Sequence, residues 1–309
     1  MSVINNEYKG LLFGLTSGVF YGAIGFFSYH ILKESSVYNM LYWRFAIASI
    51  IMTVVSTIYL KVGFTEIIKS ISKSTISDIF LYAGSTIFFF VSTLYIGTGL
   101  TMVILFIYPI LVICLDILLN QERTPKVYYF SAIITLIGLA MQLKKNDASH
   151  DSYGIILALC SAASYAIYIF THKYKRQVGS SSISTIILCY GCTIFFFIAA
   201  MLDNSLSFPA SSKQWIFLIS LSTICTILPI VFFLKSIKYL SASKASLLSI
   251  LEPVSGMTVA FYVLGEKITH LQAVGIVLIL MGGMLVQFDM KKIKNYFIYK
   301  YNRNKGDLL

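Results

Sequence analysis

Residues 95–141 read YIGTGLTMVILFIYPILVICLDILLNQERTPKVYYFSAIITLIGLAM, and residues 239–287 read YLSASKASLLSILEPVSGMTVAFYVLGEKITHLQAVGIVLILMGGMLVQ. Each stretch is two long apolar runs joined by a short charged link. A helix needs about 20 mostly apolar residues to span a bilayer, and these runs approach that length. They are continuous rather than alternating, which argues against a membrane β-barrel. Backbone groups in hydrocarbon must be paired within their own segment, so the runs read as helices.

The same reading extends outward along the chain. Ten segments qualify as spans: 11–32, 40–60, 79–96, 98–119, 127–143, 154–172, 183–202, 215–234, 242–264 and 271–288. The third and fourth are nearly continuous, and Gly97-Thr98-Gly99 marks the place where the chain must turn. The first run is too long for the core of a cleavable signal and reads as a span that stays in the membrane.

Composition agrees. The 309 residues are 57% hydrophobic and 12% charged, where soluble domains carry roughly a quarter charged residues. The net charge of +11 is spread through short links and forms no basic patch interleaved with aromatics, so nucleic acid is excluded as a partner. Instead the charge sets topology. With the N-terminus inside, eighteen Lys and Arg fall in inside segments and five outside, with Arg44 within a span. By the positive-inside rule both termini are cytoplasmic.

A shift of 144 residues lays the first five spans on the last five without gaps. Tyr21 meets Tyr165, Pro109 meets Pro253 and Glu122 meets Glu266. Five spans per unit is an odd number, so the two units insert with opposite orientation. The expected fold is an all-α integral membrane protein of ten transmembrane helices in an inverted five-plus-five repeat. Its units are residues 10–143 and 154–287, followed by a basic cytoplasmic tail at 289–309. Inverted repeats recur in secondary transporters, with the cargo site near the midplane.

The two quoted stretches, together with WRFAIA at 43–48, resemble the signature regions of EamA-type transporters in the drug/metabolite transporter superfamily. The resemblance covers residues 10–287. It implies ten helices, an inverted repeat, cytoplasmic ends and a multi-pass cell (inner) membrane location. It also implies cargo among amino acids, related metabolites and drugs, and a central cavity lined by the leading helix of each unit. One departure is Gln121-Glu122-Arg123, where the second unit carries the more usual Gly265-Glu266-Lys267.

Glu252 stands near the middle of the ninth span. An intramembrane carboxylate costs at least about 2.5 kcal/mol and usually faces the protein interior or a water-filled path. Ser243, Ser246 and Ser249 precede it at every third residue, on one helical face. Pro253 removes the hydrogen bond to the Ser249 carbonyl, and Pro109 does the same to Leu105. Two readings stay open: a cargo or proton site, or a satisfied acid that fixes packing, with prolines that only bend helices. The resemblance supports the second, because a Glu-Pro pair here is common in the family. Tyr108, the repeat mate of Glu252, completes a centre with one acid and one phenol, which suits an ammonium group on the cargo. Tyr21, Tyr165 and Tyr168 are candidates to line the cavity. Arg44 either snorkels outward, bonds carbonyls at a helix end, or meets cargo. Asp116 is a candidate gating or interfacial group.

The other chemistries find no footing. Cys189 and Cys192 form a CxxC inside an apolar span, which reads as buried structural thiols rather than a redox or zinc pair. His30, His150, His172 and His270 lack metal-ligand spacing. No nucleotide loop, HExxH or nucleophile elbow is present, so no cofactor or catalytic residue is expected. The expected function is secondary transport of a small polar metabolite, an amino acid or a relative such as S-adenosylmethionine, by alternating access, with protons as the candidate coupling ion. The alternatives are a drug or multidrug exporter of the same fold, an intramembrane enzyme, and a receptor or scaffold that binds without transport.

Overall fold

The computed structural model describes residues 2–58, 63–120, 125–142, 151–174, 180–249, 251–264 and 269–287. The acids Glu122 and Glu266, His150 and the basic tail lie outside the described residues.

All described elements are helices. The first half of the chain contains α1 (Ser2–Gly22), α2 (Ile24–Leu32), α3 (Val37–Ile58), the short α4 (Phe64–Lys69), α5 (Lys73–Leu105), α6 (Tyr108–Asn120) and α7 (Lys126–Ala140). The second contains α8 (Ser152–Tyr174), α9 (Ser181–Leu202), α10 (Ser212–Ser222), α11 (Leu228–Tyr239), α12 (Ala242–Leu248), α13 (Leu251–Leu264) and α14 (His270–Gln287). A π-helical turn, Thr223–Ile227, joins α10 to α11. Seven continuous stretches are long and apolar enough to cross a membrane. The shorter apolar helices Tyr108–Leu119, Lys126–Ala140 and His270–Leu285 account for further expected spans.

Serine sets several helix starts. Ser72, Ser180, Ser211 and Ser241 each accept a backbone N–H of the first turn, pairing donors that would otherwise be orphaned. At Ser72 the bond is reciprocal, because the Thr75 hydroxyl lies 2.6 Å from the Ser72 N–H.

The turn expected near Gly97 is present. Gly97 has φ 76° and ψ 160°, a backbone state that favours glycine. The Ser92 and Thr101 hydroxyls on either side lie 3.0 Å apart. Nine residues of straight helix would separate them by about 13 Å, so the chain folds back at Gly97.

The expected fourth and ninth spans are each broken in two. The first breaks between Leu105 and Tyr108, the second between Leu248 and Leu251. Both breaks lie just before the Pro109 and Pro253 positions, as a proline's clash with the carbonyl four residues earlier requires.

Packing is pairwise: α5 lies along α8, α1 along α11 and α13, α3 along α9, and α7 along α14. Positions 144 residues apart make matching contacts. The Ser92 hydroxyl donates to the Gly154 carbonyl at 2.8 Å, and Ser236 to that of Gly10 at 2.9 Å. The Ser161 hydroxyl donates to the Ser85 carbonyl at 2.8 Å, and Ser17 to that of Pro229 at 2.8 Å. One end of the bundle gathers ionic ties: Lys244 with Glu7 at 2.7 Å, His172 with Asp78 at 2.8 Å, and Lys173 Nζ on the Ile237 carbonyl at 2.8 Å.

Candidate functional site

A cavity of about 590 Å³, open space included, lies within the bundle. Its wall takes Tyr21 from α1, Ile24 from α2, Arg44 from α3, Ser161 and Tyr165 from α8, Tyr108 from α6 and Glu252 from α13. The largest share comes from α5: Tyr82, Ser85, Thr86, Phe89, Phe90, Met102 and Leu105. Five of the residues singled out in the sequence therefore meet at one place: Tyr21, Arg44, Tyr108, Tyr165 and Glu252.

Aromatic rings build much of the wall. The Tyr21 and Tyr82 hydroxyls are 3.3 Å apart. Tyr165 stands edge-on to Tyr108 with ring centres 4.8 Å apart. Tyr82 packs against Tyr165 at 6.3 Å and Tyr168 at 5.2 Å. Such edge-to-face pairs hold their rings in fixed orientations, so the lining is preformed.

Two charged groups interrupt this wall. Glu252 sits at the start of α13, directly after the break, and is partly buried. Among the described residues its carboxylate has neither a hydrogen bond nor an ion pair. Its side chain is part of the cavity lining. Arg44 is 2% exposed and does not snorkel. Its Nε donates to Thr226 Oγ1 at 2.7 Å and its Nη2 to the Cys225 carbonyl at 3.1 Å. Both acceptors belong to the π-turn. The eighth span, residues 215–234, contributes no residue to the cavity wall. That span stands behind Arg44, and the second span takes its place in the wall.

The remaining candidates lie off the wall. Tyr168 is buried behind Tyr82 and lines a smaller cavity with Asp78 and His172. Ser246 and Pro109 line another small cavity, between α6, α7 and α12. The Ser246 hydroxyl donates to the Ser243 carbonyl at 2.9 Å, and the Ser246 carbonyl accepts from the Tyr108 hydroxyl at 3.2 Å. Ser249 is buried, with its side chain beside the Tyr108 hydroxyl. The serine stripe is not continuous with Glu252, because the helix breaks between them. Pro253 is buried in α13. The acceptor expected free at the Ser249 carbonyl is taken by the Glu252 N–H at 2.9 Å, since the break lets the chain close a tighter turn there. Asp116 is 1% exposed; it accepts from the Ser243 backbone N–H at 3.2 Å and from the Ser243 hydroxyl.

Sequence reasoning singled out no side chain of the α5 wall. A helical signal was available, since Tyr82, Ser85, Thr86 and Phe89 recur at the spacing of one face. Cys189 and Cys192 are fully buried.

The EamA-like transporter family matches residues 8–143 and, a second time, residues 152–288. This chain belongs to that family. The two matches begin 144 residues apart, the offset at which the packing contacts recur. An "Uncharacterized transporter" of Archaeoglobus fulgidus is 29% identical over 188 residues, covering 60% of this chain and 66% of that protein. Another, of Clostridium kluyveri, is 24% identical over 197 residues, covering 57% and 60%. The matches thus span just under two thirds of these relatives. A solved structure titled only "Crystal structure of protein" superposes with a TM-score of 0.81 over 92% of this chain and 98% of its own, at 13% identity. It shares the fold. An EamA-family chain with these apolar helices is a multi-pass membrane protein.

Proposed function

We propose that this EamA-family chain is a secondary transporter of a small amine-bearing metabolite, an amino acid or a relative such as S-adenosylmethionine. Glu252 receives the ammonium group. The observation that carries this reading is the unpartnered Glu252 carboxylate on the wall of an aromatic-lined cavity. A carboxylate left without a partner at that depth is costly, and a cationic group from the cargo supplies the missing one. Tyrosine rings beside it add cation–π attraction.

The reading extends to architecture. Ten helices form an inverted five-plus-five repeat in a cell (inner) membrane, with both ends and the basic tail cytoplasmic. The two family matches and the paired serine contacts support the repeat. The excess of Lys and Arg supports the orientation. Rocking of the two units about the cavity exposes cargo to either side. Protons are the candidate coupling ion, because a carboxyl group facing the cavity exchanges a proton for the cargo's ammonium. Catalysis has no place in this scheme, and the cargo leaves unmodified.

The test is transport in proteoliposomes with pooled labelled metabolites, amino acids and S-adenosylmethionine among them, with and without a pH gradient. Accumulation of an unmodified amine that falls about 10- to 100-fold in Glu252→Gln is expected, the scale of a lost charged hydrogen bond. Transport unchanged in rate and pH dependence in that variant would remove Glu252 from the mechanism. Preferential movement of neutral lipophilic compounds would point to the drug-exporter alternative.

A further inference from the structure

Arg44 is a buried cation that makes no ion pair among the described residues, although Glu252 lines the same cavity and acts on it electrostatically. It is 2% exposed, yet both hydrogen bonds described for it go to neutral oxygens, Thr226 Oγ1 and the Cys225 carbonyl. An arginine side chain stays charged in a protein, so relief by deprotonation is closed to it. Five N–H donors belong to the guanidinium; Nε and Nη2 are engaged, and Nη1 has no described acceptor. That free edge belongs to a residue on the cavity wall.

The support behind it is specific. In a π-turn the chain holds one extra residue per turn, and such bulges in α-helices concentrate at functional sites. Here the turn is Thr223–Ile227. Thr226 donates its hydroxyl proton to the Leu221 carbonyl at 2.9 Å, which leaves an Oγ1 lone pair for Arg44 Nε. Ser222 completes the clasp by donating to the Arg44 carbonyl at 2.8 Å. The guanidinium is therefore held from behind before cargo arrives, and such preorganisation strengthens recognition of a charge. The position 144 residues later is Leu188, so the arrangement, which joins α3 to the π-turn, occurs once and is not repeated at the 144-residue offset.

We propose that Arg44 is an anion subsite and that Thr226 in the π-turn positions it, so the cargo carries a carboxylate or phosphate as well as an amine. This rests on the reading of Glu252 as the ammonium site. The two charges then face one zwitterion across the cavity.

Binding to the purified full chain tests this with two probe pairs: L-phenylalanine against phenethylamine, and phosphoethanolamine against ethanolamine. A carboxylate site prefers the first member of the first pair, a phosphate site that of the second. Wild-type protein is expected to favour the anionic member of one pair by about 10- to 100-fold, the scale of a charge-assisted hydrogen bond. Arg44→Gln and Thr226→Val should erase that preference while still binding the simple amine, which also shows that they are folded. Thr226→Ser should restore it. A purely structural Thr226 would lower thermal stability and leave the preference intact. Persistence of the preference in Arg44→Gln overturns the inference. So does equal binding of both members by wild-type protein, and if Glu252→Gln then abolishes that binding, the ammonium reading survives. Failure of all four probes to bind wild-type protein overturns both.

Discussion

The two stretches matched by the family agree where helices pack and differ where the cavity opens. Gly154 lies against Tyr95 and Ile96, and Gly10 against Tyr239 and Leu240, at positions 144 apart in every member. Ser92 and Ser236 make the same bond to those glycines. The cavity positions break the match: Glu252 faces Tyr108, Arg44 has Leu188 as its counterpart, and the Asp78–His172 pair corresponds to Ser222 and Ser28. Backbone approach and helix crossing impose the same demands on both units, so both keep the same small residues. A cargo with distinct ends imposes different demands on the two walls.

Exchange at the mated centre should give the largest effect. Glu252→Tyr makes the two breaks alike and removes the acid. Uptake of an amine cargo into proteoliposomes is expected to fall about 100-fold or more, given roughly 1.5–3 kcal/mol for the charged hydrogen bond and the added bulk at the wall. Tyr108→Phe removes only a hydroxyl that donates to the Ser246 carbonyl, a loss of about 0.5–1.5 kcal/mol. Comparable losses from the two variants would break the claim that, at this mated centre, only the second unit supplies a cargo-binding group.

Much of the fold was legible because its causes are local. Hydrocarbon length marked the spans, and Gly97 marked the reversal through a backbone state that glycine reaches cheaply. Proline predicted the breaks near Tyr108 and Glu252, although the Ser249 carbonyl finds a donor that a straight-helix argument does not anticipate. The site was less legible. Snorkelling and inward orientation of Arg44 share one sequence, and only the packing of α3 against the π-turn separates them. That turn, TICTI, contains neither Gly nor Pro; its one local signal is Pro229 just beyond it, which withholds the N–H that would pair the Cys225 carbonyl and leaves that acceptor to Arg44. The α5 aromatics read equally well as lipid-facing until α8 is laid along them.

Packing variants should give intermediate and equal effects in the two units. A Cβ on Gly154 would stand 2.7 Å from Tyr95 Cβ, and one on Gly10 would stand 2.9 Å from Tyr239 Cβ. Both neighbours are anchored by backbone rather than ending a flexible chain, so the helices must part. Gly154→Ala and Gly10→Ala are each expected to cost about 1–3 kcal/mol, read as matching losses of thermal stability in detergent. A large loss in one and none in the other would show that the shared contacts carry unequal weight.

The smallest effect tests the same match most finely. Ser92→Ala and Ser236→Ala each remove one buried hydroxyl bonded to a glycine carbonyl in the facing helix. Hydrogen bonds between membrane helices average about 0.6 kcal/mol, because the separated helices also find partners. Ser92 has a second contact, with Thr101 at 3.0 Å, and position 245, the mate of Thr101, is alanine. Ser92→Ala should therefore cost a few tenths of a kcal/mol more than Ser236→Ala, and Thr101→Ala should remove that excess in a double-mutant cycle on thermal stability. A coupling of zero between Ser92 and Thr101 would mean that Gly97 alone holds the reversal. A measurable coupling would place part of that task on a hydroxyl pair that the second unit lacks.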